Sequence, residues 1–374
     1  MDKKKKPKVF QIAFGMVLGG VIGFAAAHYG MKAGRELPGE AGLLLAIAVI
    51  PVFFLVIGVH EAGHAIAGVW QKFDFRMYVI GPFLWDKEQD GWKFKWNKNV
   101  NTAGGMVICL PTGTHDLQKR FTIYAAGGPV ASLLLTLFGY LLFMVSVPAT
   151  ISYLFLMTGV FSLLIFSVTA LPFHAGGFTS DGGRILNLQR GGDASRFELL
   201  ILKIITESTG GLRPSQLNVA ELQEADMLAK KLKAPFGVYL NSYFYQAAWD
   251  KGDIAGAEKH LQDYIEAIDA IPDGIKGIVW CEAAFFYAFA KHDLDKAMHY
   301  WLQFKPSAMV PKASVLATEL AIERLKDGGI ADHAKIDVAL RELLNMLDRG
   351  AATVLKERLL ALKSERSMIA EQTV

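Results

Sequence analysis

The sequence predicts a mainly α-helical, polytopic membrane bundle of about four spans, with a small β-hairpin insertion, followed by a soluble α-helical repeat domain. Three observations lead there. Hydrophobic residues make up 52 % of the chain and the mean hydropathy is +0.28, yet 20 % of residues are charged. That mixture is too apolar for an ordinary soluble protein and too charged for one wholly embedded in lipid. Long charge-free runs fill the first half, and after Gly191-Gly192-Asp193 charges return with helical periodicity to the end. The expected domains are therefore 1–190, membrane-embedded, and 191–374, soluble.

The lysine-rich start MDKKKKPK precedes residues 9–27, an uncharged run long enough to cross a hydrocarbon layer of roughly 30 Å as a helix. A basic start followed by FAAAH would also suit a cleavable signal peptide. The spans that follow favour retention, because they then form a consistent topology. Residues 41–59 are the second uncharged run and lead directly into His60. Residues 121–180 contain no Asp, Glu, Lys or Arg, and Pro148 divides them into two further spans. With the lysines held in the cytoplasm, the chain runs out, in, out and in. His60 to His64 and Asp181 then fall at the same, cytoplasmic, depth. The expected location is the plasma membrane, multi-pass, with the N-terminus and C-terminal domain cytoplasmic.

Between the second and third spans, residues 73–113 change character. Short aromatic and β-branched runs flank DKEQDG, which suggests a small antiparallel sheet with an Asp-Gly turn. Its Trp85, Trp92 and Trp96, with neighbouring lysines, suit the headgroup layer as well as a solvated hairpin. Net charge is only +3, and basic residues form no stripe with interleaved aromatics, so no nucleic-acid partner is expected. Cys109 and Cys281 stand far apart in no metal-binding spacing and read as free thiols.

The chemistry lies in GVHEAGHAIAG, residues 58–68. Residues four apart share a helix face, so His60 and His64 can present both imidazoles to one ion while Glu61 flanks a water. Zn2+ would lower the pKa of that water toward about 7, and Glu61 would act as general base. The motif is short, but ionisable groups at the end of an apolar helix are costly unless they serve a function. A third ligand is needed. Asp181 in SDGGRIL is the first carboxylate after the charge-free region and is preferred; His174, seven residues earlier, competes with it.

HEAGH at a span's end, AAGGPVASLLL at 125–135, and LPF…SDGGRIL together resemble the hallmarks of the site-2 protease family of intramembrane zinc metalloproteases. The resemblance covers roughly the first 190 residues in the family's order. It implies Zn2+ bound by His60, His64 and Asp181, with Glu61 as catalytic base. It also implies that Gly127 to Pro129 begins the third span with close helix packing, and Ser132 falls where many members carry Asn. Two departures affect substrate positioning and oxyanion stabilisation. Thr169 occupies a common Asn position, and the gap from Pro172 to Asp181 is long. Thr169, Pro172 and His174 are the candidate substrate contacts. The implied substrates are single-span membrane proteins or signal-peptide-like remnants.

In the second half, AAWDKGDIAGAEKHLQDYIEAI and YAFAKHDLDKAMHYWLQF align at an offset of about forty residues, matching Asp253 with Asp293 and Ala257 with Ala297. Each reads as helix, turn, helix, and resembles tetratricopeptide-like repeats. Such stacks usually bind peptides or proteins, so a regulator or the substrate's soluble part is the expected partner. The aromatics Tyr243, Phe244, Trp249, Phe285, Phe286, Tyr287 and Trp301 read as packing between helices. The alternative to an intramembrane endopeptidase is a catalytically inactive scaffold that binds partners through its repeats. Retention of Glu61 beside all three presumed ligands argues against it.

Overall fold

The computed structural model describes residues 28–29, 32, 37, 39–97, 104–145, 147–175, 178–326 and 332–364. The expected first span, 9–27, lies outside them. By internal contacts the chain divides into two units, Met1–Gln71 with Thr122–Leu186, and Lys72–Phe121 with Asn187–Val374.

The first unit is built on three helices long and apolar enough to cross a membrane: α1 (Gly39–Trp70), α2 (Leu117–Phe143) and α3 (Ala149–Ala170). α2 begins in the second unit and enters the first. Outward-facing Leu43, Leu44, Ile47, Leu134, Phe138 and Leu141 are exposed, as lipid-facing positions require when internal hydrogen bonds satisfy the backbone. Pro148 stands at the N-cap of α3, where its missing N–H costs no helical bond. α1 does not stop at the zinc-type motif. It continues through the apolar helix formers after His64 until Lys72 turns left-handed at φ 60°. His60 and His64 are therefore inside a helix rather than at its end. Likewise Gly127 to Pro129 lies well inside α2, because the polar turn Leu117 to Arg120 extends the helix backwards.

Gly63 and Gly127 let α1 and α2 touch backbone to backbone: a Cβ on either would come within 2.3 Å of the other's carbonyl oxygen. Gly139 makes a similar approach to α3, where a Cβ would meet Gly159 N at 2.8 Å. Small residues at such crossings allow the close packing on which helix association in lipid depends. A short strand pair, β5 (His174–Ala175) and β6 (Phe178–Thr179), follows α3 and leads into α4 (Asp181–Arg190).

In the second unit β1 (Asp74–Ile80), β2 (Phe83–Glu88), β3 (Gly91–Trp96) and β4 (Met106–Leu110) form an antiparallel sheet in the order β3-β2-β1-β4. Glu88 pairs with Gly91, so Gln89-Asp90 form the hairpin loop and Gly91, at φ 113°, opens β3. The sheet's two faces separate by alternation. Met77, Val79 and Leu84 are buried with Met106 and Ile108 against them, while Phe83, Trp85, Phe94 and Trp96 crowd the opposite face. Gln89 N–H donates to Asn345 Oδ1 at 3.0 Å, and Arg349 pairs with Asp74 at 3.8 Å, tying the sheet to the C-terminal helices.

Those helices are α5 (Gly192–Thr209), α6 (Val219–Leu232), α7 (Leu240–Asp250), α8 (Ile254–Glu266), α9 (Asp273–Phe289), α10 (Leu294–Trp301), α11 (Lys312–Lys326), α12 (His333–Glu342) and α13 (Arg349–Ser364). Positions matched by the forty-residue offset do the same work. Asp253 caps α8 by accepting from Gly256 N–H, and Asp293 caps α10 by accepting from Lys296 N–H. Ala257 and Ala297 are both fully buried. Even the turns agree: Gly252 has φ 81° and its counterpart His292 has φ 50°. Trp249, Phe285, Phe286 and Tyr287 lie in one core, with Trp301 packed against it.

That core carries charge. Glu282 on α9 accepts from Gln246 Nε2 at 3.0 Å and Ser242 Oγ at 3.4 Å on α7. Burial pushes its carboxyl up to about 7, outweighing those two hydrogen bonds and the nearby Arg358 charge, while Asp348 adds to the rise. The folded state thus holds a proton that the unfolded chain releases near 4.5. This contribution to stability is complete below about pH 4.5, falls as pH rises toward 7, and is constant above that, a loss on the order of 3 kcal/mol. Glu282→Gln is expected to flatten that part of the pH dependence, measured as the change in unfolding temperature between pH 4.5 and 7.5 in both proteins. An equal change in both would show that Glu282 does not carry it.

Candidate metal centre

His60 and His64 sit one turn apart on α1 and are 5 % and 6 % exposed. Asp181, the first residue of α4, brings its carboxylate to them across the fold. Asp181 Oδ2 is 3.5 Å from His60 Nε2 and 3.3 Å from His64 Nε2, and the two Nε2 atoms are 3.3 Å apart. Among the described residues these three form the one group of His, Cys, Asp and Glu side chains placed to hold a metal ion.

Each ligand is aimed from behind. His60 Nδ1 lies 2.9 Å from Ser132 Oγ on α2, and His64 Nδ1 lies 2.9 Å from the Tyr124 carbonyl oxygen on the same helix. With Nδ1 so engaged, each ring turns Nε2 toward Asp181. Asp181 is placed by Ser180, whose hydroxyl donates to the Leu171 carbonyl at 2.6 Å and accepts from Phe173 N–H and Gly183 N–H, both at 3.1 Å. Ser180 thereby caps α4 and closes the connection from α3. Gly182 is needed here because a Cβ would lie 1.8 Å from the Ala170 carbonyl oxygen.

The donor set fits zinc. Two imidazoles and a carboxylate are a hydrolytic zinc site's usual complement, and donors about 2.0–2.1 Å from a tetrahedral ion lie roughly 3.3–3.4 Å from one another. The observed separations match that spacing. Both rings pack directly on the backbone of α2: a Cβ built on Gly128 would stand 2.3 Å from His64 Nε2 and 2.7 Å from His60 Nε2. Glu61 is buried on α1, three residues before His64 and so on an adjoining face.

The other candidate residues take different places. Thr169 lies in α3, and its hydroxyl donates to the Ile165 carbonyl at 2.9 Å, within its own helix. Pro172 is exposed just after α3. His174 enters the β5–β6 pair opposite Thr179. Sequence reasoning passed over Ser180, although Ser before Asp-Gly-Gly is a helix-capping signal. It had no means of finding the Tyr124 carbonyl, since any residue type supplies one.

A membrane helix bundle that gathers two histidines and an aspartate with their donor atoms within 3.5 Å of one another defines a membrane metalloprotease-type centre. Residues 48–280, more than half the chain, match the sequence model described as peptidase family M50. The chain belongs to that family, the membrane metalloproteases of site-2 protease type, which depend on zinc. Searches of curated proteins and of solved structures return no match.

Gly128→Ala tests the seating of the two rings on α2. Alanine in a helix is favoured over glycine by about 1 kcal/mol, so the helix itself does not suffer. Its methyl group nevertheless clashes with both imidazoles, and the rings cannot swing aside without losing Ser132 and Tyr124. Zinc affinity is expected to fall at least about a hundredfold, read as metal content of the purified protein and by chelator competition. Retention of one zinc per chain at unchanged affinity would show the ion binds elsewhere.

Proposed function

We propose that this chain is an active intramembrane zinc endopeptidase that hydrolyses peptide bonds in or near the transmembrane segments of membrane-protein substrates. The observation that carries this reading is the convergence of His60, His64 and Asp181, with Glu61 buried between the two histidines in the α1 sequence. A zinc ion held there supplies Lewis acidity and makes a water easier to deprotonate. Glu61 takes the proton from the attacking water and delivers it to the leaving amine. His60 and His64 are oriented through Ser132 and the Tyr124 carbonyl. A scaffold that only binds partners gains nothing from keeping Glu61 in this costly setting.

Substrates are single-span proteins or signal-peptide-like remnants, unwound before cleavage because helical carbonyls are already hydrogen-bonded. Thr169, Pro172 and His174 are the chain's candidates for contacting the unwound segment. An outer strand of the β1–β4 sheet suits pairing with it as an added strand. The aromatic face around Trp85 and Trp96, with Trp92 and the neighbouring lysines, suits the headgroup layer. We place the protein in the plasma membrane with its N-terminus and C-terminal helices in the cytoplasm, where the tetratricopeptide-like helix pairs bind a regulator or the substrate's soluble part.

The test uses purified wild type and Glu61→Gln in detergent, with metal quantified and both assayed on a panel of single-span substrates. Both proteins are expected to hold about one zinc, and only wild type to cleave, with a rate loss of at least about a hundredfold in the variant. Equal cleavage by both proteins, or a wild type without zinc, would remove the catalytic assignment.

A further inference from the structure

Hydroxyl groups on the membrane helices follow two patterns. Thr136, Thr158, Ser167 and Thr169 turn back on their own helices, donating to the carbonyls of Ser132, Leu154, Leu163 and Ile165 at 2.8–2.9 Å. This is the ordinary way for a helix in lipid to satisfy a hydroxyl. Ser132 and Ser162 instead reach to a neighbouring helix, and both are fully buried. Ser132 Oγ meets His60 Nδ1 at 2.9 Å, and Ser162 on α3 donates to the Ser132 carbonyl at 2.7 Å. A chain of contacts thus runs from α3 through α2 to the first histidine of α1.

We infer that Ser132 is a positioning residue that holds His60 in its metal-ligating tautomer and orientation, and that Ser162 fixes the backbone from which Ser132 acts. This rests on the proposed zinc site. A histidine that ligates through Nε2 carries its proton on Nδ1, so Ser132 Oγ is the acceptor. Without that acceptor, the Nδ1 proton is buried and unpaired. The ring then regains the alternative tautomer, which protonates Nε2 and removes the ligand's lone pair. His64 has a backbone carbonyl for the same purpose, which no substitution of Tyr124 deletes. Ser132 is therefore the side chain through which sequence sets the second half of this arrangement.

The experiment compares Ser132→Thr with Ser132→Val, which share a shape and differ in the hydroxyl, and adds Ser132→Ala, which only removes atoms. Zinc affinity of each full-length protein is measured by competition with a fluorescent chelator, and cleavage is measured at limiting and at saturating zinc. Wild type and Ser132→Thr are expected to bind alike within about threefold, while Ser132→Val and Ser132→Ala bind about 10–100-fold more weakly. Saturating zinc should restore cleavage to a large part in the weak binders. A purely packing role predicts that Thr and Val behave alike and that Ala binds as wild type does; either result overturns the inference. If the affinities separate as expected but no variant, wild type included, cleaves anything, the inference stands and the protease reading falls. A wild type that binds no zinc overturns both.

Discussion

The contact between Gly63 and Gly127 is the constraint on which the metal centre depends. At that point α1 and α2 meet through their backbones, each glycine facing the other's carbonyl with no room for a Cβ. The consequence extends a turn in either direction. It brings Tyr124 and Ser132 to the two histidines' Nδ1 atoms, and it leaves Gly128 beside their Nε2 atoms. In lipid the hydrophobic effect does not drive helices together, so such fits between small residues have to do so. The close approach that these glycines permit thus also sets the two histidines against α2.

The third ligand depends on a different device. Asp181 arrives after a long connection, and its position follows from the Ser180 hydroxyl, which closes the loop at three backbone groups, and from Gly182 passing close under the end of α3. As the first residue of α4, Asp181 also sits where a helix favours negative charge. One carboxylate is thereby held against His60 and His64 of α1. The design keeps ionisable groups few, mutually facing and buried, the condition under which a membrane helix bundle tolerates them.

The second unit relies on polar side chains instead. Its helices begin at Asp and Asn caps, such as Asn218, Asp253, Asp293 and Asp332. Salt bridges such as Arg213 with Asp250 and Glu357 join distant helices. The sheet that interrupts the spans in sequence belongs, by its contacts, with these helices, because Asn345 and Arg349 bond to it. Composition alone put the sheet with the membrane half, since neither of those bonds has a local signature.

The sequence by itself determined the helical class, the apolar runs that become α1 to α3, the break at Pro148 and the Asp caps of the matched helix pairs. It also singled out His60, His64 and Asp181, which the structure brings together. These are legible because they rest on local properties: hydropathy over a window, periodicity, a capping side chain, and spacing on one helix. Only the tertiary structure decided that α1 runs on past His64, that Gln89-Asp90 form the hairpin loop, and that Ser132, Tyr124 and Ser180 hold the ligands. It alone showed that Asp181 reaches the two histidines. Such relations join residues dozens of positions apart through hydroxyls and carbonyls that look alike in any helix, and they exist only once the glycine-lined helices have packed.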